Sequence, residues 1–219
     1  IFSGLIYKNK PVVLTDKYGM RFVIYPYAHE PLEKLVSRRY LVGEYRAISK
    51  ILKEGDVVID IGANIGTHSV YMSKIVGNMG KIYAFEPVLD TSWELRENLA
   101  LNRVDNVHVV NAAIKDGDGV EKINIFPKDF SAWNSFGKPD TQESTPISSE
   151  MVTTYKLDTF VNKENINHID FLKIDAEGSE KDILLGSKDT LSSGKIDVLS
   201  FEVSKIPMKG MGVSTKDIF

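Results

Sequence analysis

One stretch constrains the fold more than any other: DVVIDIGANIG at residues 56–66, an aliphatic run that feeds directly into a glycine turn. A second aliphatic run, KIYAFEP at residues 81–87, follows and ends on Glu86. Near-continuous β-branched residues bounded by glycine read as a strand buried on both faces, which needs helices on either side to bury it. The alternation continues along the chain: VVIDI, a helix carrying Val70, Tyr71 and Ile75, IYAFE, a helix carrying Leu95 and Leu99, and VHVVNAA. After a turn at KDGDG and a strand KINIF, it resumes with MVTTYKLDTF, IDFLKID and IDVLSFEV. Strands separated by helices specify an α/β fold with a doubly wound, mostly parallel, Rossmann-like sheet.

The flanks fit around that core. PVVLTD and MRFVIYPY, punctuated by Gly19 and Pro26, read as a hairpin, and residues 31–53 read as helical. Tyr45, Ile48, Ile51 and Leu52 supply an apolar helical stripe, and Gly55 stands where such a helix stops. Residues 1–53 are therefore expected to be a hairpin and helical extension packed on a core of residues 54–219. The tract from Pro127 to Glu150, rich in Ser, Thr and Pro, reads as a long loop with an exposed Trp133; its aromatic pair, Trp133 and Phe136, favours an ordered lid or substrate loop. Farther on, Ser179 and Asp182 form a capping-box pattern, and Ile183, Leu184 and Leu191 share one face of the helix expected to start there.

Charge and composition remove several function classes. Twenty-seven basic against thirty acidic side chains give a net charge of −3, which leaves no electrostatic footprint for nucleic acid. Without cysteine there are neither disulfides nor thiolate metal sites, and no apolar run reaches bilayer-spanning length. A chain that opens on Ile1 with no basic start and no apolar signal core reads as a trimmed fragment of a cytoplasmic protein.

The turn D60-I-G-A-N-I-G66 carries the chemistry. Gly62 and Gly66 let the backbone bend tightly, and Ala63 and Asn64 lie between them, with Asn64 tolerant of left-handed geometry. A dinucleotide fingerprint needs glycine at the first, third and sixth positions of the turn; here the third is Asn64, and the next glycine comes at the fifth. A pyrophosphate cradle fits poorly. Glu86, followed by Pro87 at the end of the next strand, stands where a carboxylate accepts from both ribose hydroxyls of a nucleoside-bearing cofactor; the alternative is a solvated strand-end charge. Around the third strand, Asn111, Ala112 and Ala113 leave room for a flat ring or simply pack under a helix. Open α/β sheets bind ligands at the carboxyl ends of their strands, which singles out Asp175, Glu177 after it, and Lys173 on the same face as Asp175. His68 falls in the first helical turn after the glycines, with an ordinary pKa suited to proton transfer. The competing reading makes Asp175, Glu177 and Glu180 helix-start carboxylates and His68 a structural histidine. Tyr40 and Glu44 lie just ahead of the core, either closing over the site or on a helix surface. A carboxylate-held cation at Asp175, Glu177 and Glu202 lacks ligand spacing, and no required metal is expected.

The acidic-x-G-x-x-x-G turn resembles that of class I methyltransferases. In combination with FEP, the KLDTF strand exit and LKIDAEGSE, it resembles the FkbM family of S-adenosylmethionine-dependent methyltransferases over about residues 40–205. The resemblance implies a class I fold whose last pair of strands lies beyond this chain. It also implies S-adenosyl-L-methionine as cofactor, its amino-acid end over the turn so that Asp60 meets an ammonium group. The implied activity is O-methylation of a hydroxyl on a sugar, glycan or small natural product. Two other readings stand beside it: a nucleotide-dependent oxidoreductase, which the Asn64 spacing disfavours, and a non-catalytic module that binds a partner through the lid tract.

Overall fold

The computed structural model describes residues 10–25, 40–127, 130, 133–137, 145–176 and 178–201. A hairpin of β1 (Val12–Thr15) and β2 (Arg21–Ile24) precedes α1 (Tyr40–Ile51). Then come β3 (Val57–Ile61), α2 (Thr67–Val76), β4 (Lys81–Phe85), α3 (Leu89–Leu101) and β5 (Val107–Val110). Two short-range additions, β6 (Ala113–Ile114) and β7 (Gly119–Ile125), lead to β8 (Ser148–Tyr155) and α4 (Leu157–Lys163). The described residues close with β9 (Ile169–Ile174), α5 (Glu180–Leu185), α6 (Lys188–Ser192) and β10 (Ile196–Phe201).

Five of these strands form one wholly parallel sheet in the order β10-β9-β3-β4-β5. The chain starts in the middle with β3, winds outward through β4 to β5, and then returns to the other side through β9 and β10. The reversal falls between β3 and β9, and at such a switch point the two outgoing connections part and leave a crevice above the strand ends. Alternate residues of each strand face opposite layers. Ile59, Ile61, Leu172 and Ile174 pack against Leu157, Phe160 and Val161 of α4 and Ile183 of α5. Val58, Ile82 and Phe171 face Ile48 and Leu52 of α1 and Met72 and Val76 of α2. Asp60 and Lys173 lie on this second face, directly beside each other in register across β3 and β9.

Several local expectations are corrected by tertiary contacts. Ile51 is exposed, because Tyr45, Ile48 and Leu52 already form the buried stripe. The segment VHVVNAA is not one strand. It ends at Val110, and Ala113 pairs with Thr154 in a second sheet of order β6-β8-β7. The helix expected from Ser179 through Leu191 is two. Gly186 presses so close to the Lys115 carbonyl that a Cβ would lie 1.9 Å from it, and the Asp158 carboxylate caps a new helix by accepting from Asp189 N and Thr190 N. Ser179 and Asp182 form no capping box. Ser179 makes no side-chain cap, while the Asp182 carboxylate is taken by Lys115 Nζ at 2.6 Å, a charged partner that outcompetes a neutral local one. Trp133 is half-buried rather than exposed, with Phe126 edge-on at 6.4 Å and Phe130 at 4.8 Å.

The β1–β2 hairpin is fastened to α3, whose Asn98 and Asn102 side-chain oxygens accept from Val23 N and Arg21 N. Described residues of the Ser-rich tract are fastened to β7. Asn124 and Ser135 exchange backbone hydrogen bonds, and Phe126 N donates to Asn134 Oδ1.

Both glycines of the first turn are explained by close approach of protein to protein. Gly62 has φ +78°, and a Cβ there would lie 1.8 Å from the Asp175 carbonyl oxygen; at Gly66, φ +89°, it would meet Leu95 at 2.3 Å. Gly62→Ala is therefore expected to cost about 3 kcal/mol or more in urea unfolding, from left-handed strain plus overpacking. Gly117→Ala, with nothing within 4 Å of the added carbon, should stay near wild type. Equal effects at the two positions would overturn this account of the turn.

Candidate functional site

The site assembles where β3 and β9 end. Asp60, the penultimate residue of β3, is wholly buried; its Oδ2 accepts from Ser69 Oγ at 2.7 Å. Its Oδ1 makes no hydrogen bond, and Lys173 Nζ stands 3.6 Å away. The same Nζ donates to Asp175 Oδ2 at 3.0 Å. Lys173 thus bridges two carboxylates, one from each side of the switch point. Burial acts most strongly on this ammonium and pulls its pKa down, but Asp175 and Asp60 together outweigh it. The net displacement is upward, and Lys173 is a fixed cation.

The turn after β3 has spent its donors. Gly62 N and Ala63 N both donate to the Phe85 carbonyl, and Asn64 N donates to Glu86 Oε2. Ile65 N donates to Asn64 Oδ1, and Gly66 N to the Ala63 carbonyl. Asn64 has φ 51°, the left-handed geometry that asparagine tolerates. With every amide of residues 62–66 engaged and two carboxylates nearby, the turn offers nothing to a phosphate. It suits a ligand that brings its own donors, such as hydroxyl and ammonium groups. S-adenosyl-L-methionine, which carries both and no phosphate, fits this donor set.

Glu86 is buried and tied at both oxygens, Oε2 to Asn64 N at 3.1 Å and Oε1 to Val88 N at 3.0 Å. Each oxygen keeps a second lone pair. Burial pushes its pKa up to about 7, against the pull of the two backbone donors and with a further push from Glu150 and Asp60. Asn111, exposed, clamps the strand exits by donating from Nδ2 to the carbonyls of Glu86 and Pro87. Ala112 and Ala113 are buried, and Ala113 is already part of the second sheet.

Beside the Lys173–Asp175 pair opens a cavity of about 630 Å³. Glu44, His68, Lys173 and Asp175 line its polar end, and its walls are aliphatic and aromatic, including Ile48, Phe171, Val198 and Leu199. His68 Nε2 lies 2.7 Å from Glu44 Oε2, and the Tyr45 ring stands edge-on to the imidazole at 5.5 Å. Tyr45 donates its hydroxyl to the Thr67 carbonyl, and burial foremost raises the pKa of that phenol, so it holds position as a neutral donor.

The structure thus brings Asp60, Lys173, Asp175 and His68 together at one edge, with Gly62, Ala63, Asn64, Gly66 and Glu86 on the adjoining turn. Glu177, Glu202 and the side chain of Tyr40 lie outside the described residues. His108 sits on β5 away from the cavity. His168, with Asp170 and Asp197, forms an ion-pair cluster at the amino ends of β9 and β10, opposite the site. Two contacts had no signal in spacing: the Glu44 pairing, which crosses 24 positions, and Lys115, held by Asp182 and lying 4.5 Å from the Phe136 ring centroid. Ser69 was nearer to legible, as a hydroxyl one helical turn beyond the glycines.

A parallel sheet of this order, with a phosphate-free acidic turn at its switch point, defines the class I methyltransferase architecture. Residues 60–219 match the model of the methyltransferase FkbM domain, and the chain belongs to that family. Its cofactor is S-adenosyl-L-methionine. Among relatives, the chain is 28% identical over 204 residues to a hexuronic acid methyltransferase, AglP, of Haloferax volcanii, covering 92% of this chain and 74% of the relative. It is 27% identical to the 2-O-methyltransferase NoeI of Sinorhizobium fredii, over 68% of this chain and 64% of that one. To the 31-O-demethyl-FK506 methyltransferase FkbM of Streptomyces tacrolimicus it is 29% identical, over 63% and 62%. No described helix is long and apolar enough to cross a membrane.

Lys173→Met leaves the Asp60 and Asp175 carboxylates without their shared cation. The expected loss is on the order of 3 kcal/mol at pH 8 by urea unfolding. Without the lysine the carboxylates favour their protonated forms, so the deficit should shrink at pH 5. An equal deficit at both pH values would assign the loss to packing of the lysine stem instead.

Proposed function

We propose that this chain is an S-adenosylmethionine-dependent O-methyltransferase acting on a hydroxyl of a sugar, glycan or small natural product. The observation that carries the reading is the cavity: four ionisable side chains converge on its polar end beside the glycine turn, and most of the remaining wall is apolar. The relatives named for a hexuronic acid, a 2-O position and the FK506 macrolide support an oxygen acceptor of this range.

Glu86 would hold the ribose hydroxyls through its two free lone pairs, and Asn64, Gly62 and Ala63 would shape the floor beneath them. Asn111, Ala112 and Pro87 would flank the base. Asp60 stabilises Lys173 rather than standing open to the ligand, so the lysine conveys its charge to Asp175. S-adenosylmethionine, when bound, supplies a methyl group on a positively charged sulfur. Transfer to oxygen demands alignment foremost, and the cavity walls together with the Lys173–Asp175 pair supply it by orienting the acceptor. An alcohol also needs its proton removed, a contribution of roughly a hundredfold to ten-thousandfold from a positioned base. His68 takes that role, because the Asp175 carboxylate is neutralised by Lys173, whereas His68 carries no cation partner among its described contacts. Glu177 follows Asp175 and belongs with it on the acceptor side.

The test is turnover with S-adenosylmethionine on uronic acids, deoxyhexosides and polyhydroxylated macrolides, with O-methyl products read by mass spectrometry. Product from any of these, lost in Glu86→Gln, supports the reading; binding of NAD in place of S-adenosylhomocysteine would overturn it. The pH dependence adds a sharper check. The hydroxyls need an ionised acceptor, and ligand-free Glu86 titrates near pH 7. S-adenosylhomocysteine affinity measured by calorimetry should therefore be level above that value and fall on acidification, by up to about tenfold per pH unit. Glu86→Gln should bind weakly with that slope gone.

A further inference from the structure

The family-matched residues begin at Asp60, yet the contact that best defines His68 comes from ahead of them, on α1. We propose that Glu44 is the positioning residue of His68: its carboxylate holds the ring proton on Nε2 and leaves the Nδ1 lone pair to receive the acceptor's proton. This rests on the O-methyltransferase reading above.

The geometry has three parts. The Glu44 Oε2 to His68 Nε2 distance of 2.7 Å is that of a charge-assisted hydrogen bond, and a carboxylate can only accept, so a neutral ring must place its proton on Nε2. Tyr45, one residue along the same helix, stands edge-on to the ring at 5.5 Å and anchors α1 to the start of α2 through the Thr67 carbonyl. Both Glu44 and His68 line the cavity shared with Lys173 and Asp175. Among the described residues, the charged and titratable groups facing His68 are thus Glu44 and Tyr45 from α1 and the Lys173–Asp175 pair at the end of β9, backed by Asp60. Tyr45 stays neutral, and Lys173 lies between Asp175 and Asp60. Glu44 is the carboxylate in direct contact with the ring, and its side chain is partly open to solvent.

The proton balance is simple. The acceptor hydroxyl gives its proton to Nδ1 as its oxygen bonds to the methyl carbon, and sulfur keeps the electron pair of the bond that breaks. The imidazolium so formed is stabilised by Glu44, as a carboxylate supports a catalytic histidine in hydrolases, here from the Nε2 side and partly open to solvent. On this account α1 is part of the active site, not an appendage to it.

The test uses the whole chain and Glu44→Gln, which keeps a hydrogen-bonding partner and removes the charge. Imidazole nitrogen NMR distinguishes the two neutral tautomers of each of the four histidines, and His68 should carry its proton on Nε2 in the wild type and lose that preference in the variant. The affinity for S-adenosylhomocysteine should stay within about twofold. With the best acceptor of the panel, kcat should fall about tenfold or more. Glu44→Gln should add little to His68→Ala, since two residues acting as a unit are not additive. The same His68 tautomer in wild type and variant, or an unchanged kcat in an active enzyme, overturns the proposal. So does a tenfold loss of S-adenosylhomocysteine affinity, which would make Glu44 a cofactor contact. If the wild type turns over no acceptor while the tautomer preference changes and S-adenosylhomocysteine binds, the acceptor reading fails and the Glu44–His68 coupling stands.

Discussion

The site depends on one close approach, the meeting of the β3 and β9 exits at the switch point of the sheet. Gly62 has no room for a side chain because the Asp175 carbonyl occupies that space, and Asp175 N in turn donates to the Ile61 carbonyl at 3.0 Å. Once the two strand ends are locked at this distance, the register places Lys173 beside Asp60, and its ammonium reaches both carboxylates. A buried cation between two anions is costly to desolvate and costly to break, so the arrangement acts more as a fixed geometry than as a source of stability. It holds the turn at residues 62–66 on one side and the Asp175 carboxylate on the other in a single rigid relation.

The glycines of the turn illustrate how one residue type can serve a site indirectly. A glycine-rich turn over a helix start is commonly a phosphate cradle, with free amides aimed at the ligand. Here the five amides of residues 62–66 are consumed within the protein, by Phe85, Glu86, Asn64 and Ala63. The glycines let β9 and α3 come close, and what the turn keeps beside it is acceptor character from Glu86. The raised pKa of that carboxylate is the electrostatic cost of burying it beside Asp60 and Glu150, and hydroxyl donors are the groups that relieve such a charge. The same turn that refuses a pyrophosphate is therefore suited to a nucleoside without one.

Much of this was legible in the sequence because it is carried by local pattern. The parallel core follows from aliphatic runs such as VVIDI and IDFLKID, and the nearness of Lys173 to Asp175 follows from strand alternation. The turn identity follows from glycine spacing. What was not legible depends on contacts between distant segments. Nothing in the residues around Gly186 shows that the Lys115 carbonyl presses on it, so one helix was expected where two form. The Ser179 and Asp182 pattern is a sound local signal, and it loses to Lys115 because an ammonium binds a carboxylate more strongly than a backbone amide does. Trp133 looked exposed in a polar tract, and Phe126 and Phe130 cover it. The Glu44 partnership is of the same kind, since no periodicity connects a residue on α1 with one on α2.

That last case bears on where the functional unit begins. A boundary drawn at residue 54 separates the repeating strand and helix core from what precedes it, and by pattern the division is natural. Physically it cuts through the site. Tyr45 is wholly buried and stacks on Tyr71 at 3.9 Å, its hydroxyl anchors the backbone at Thr67, and Glu44 meets His68 in the cavity. The hairpin before α1 is likewise held to α3 by Asn98 and Asn102. The core sheet supplies the cofactor turn and the Lys173–Asp175 pair, but the polar end of the cavity is closed only when α1 is in place. A chain trimmed to the repeating core would keep the turn at residues 62–66 and lose the carboxylate that contacts His68.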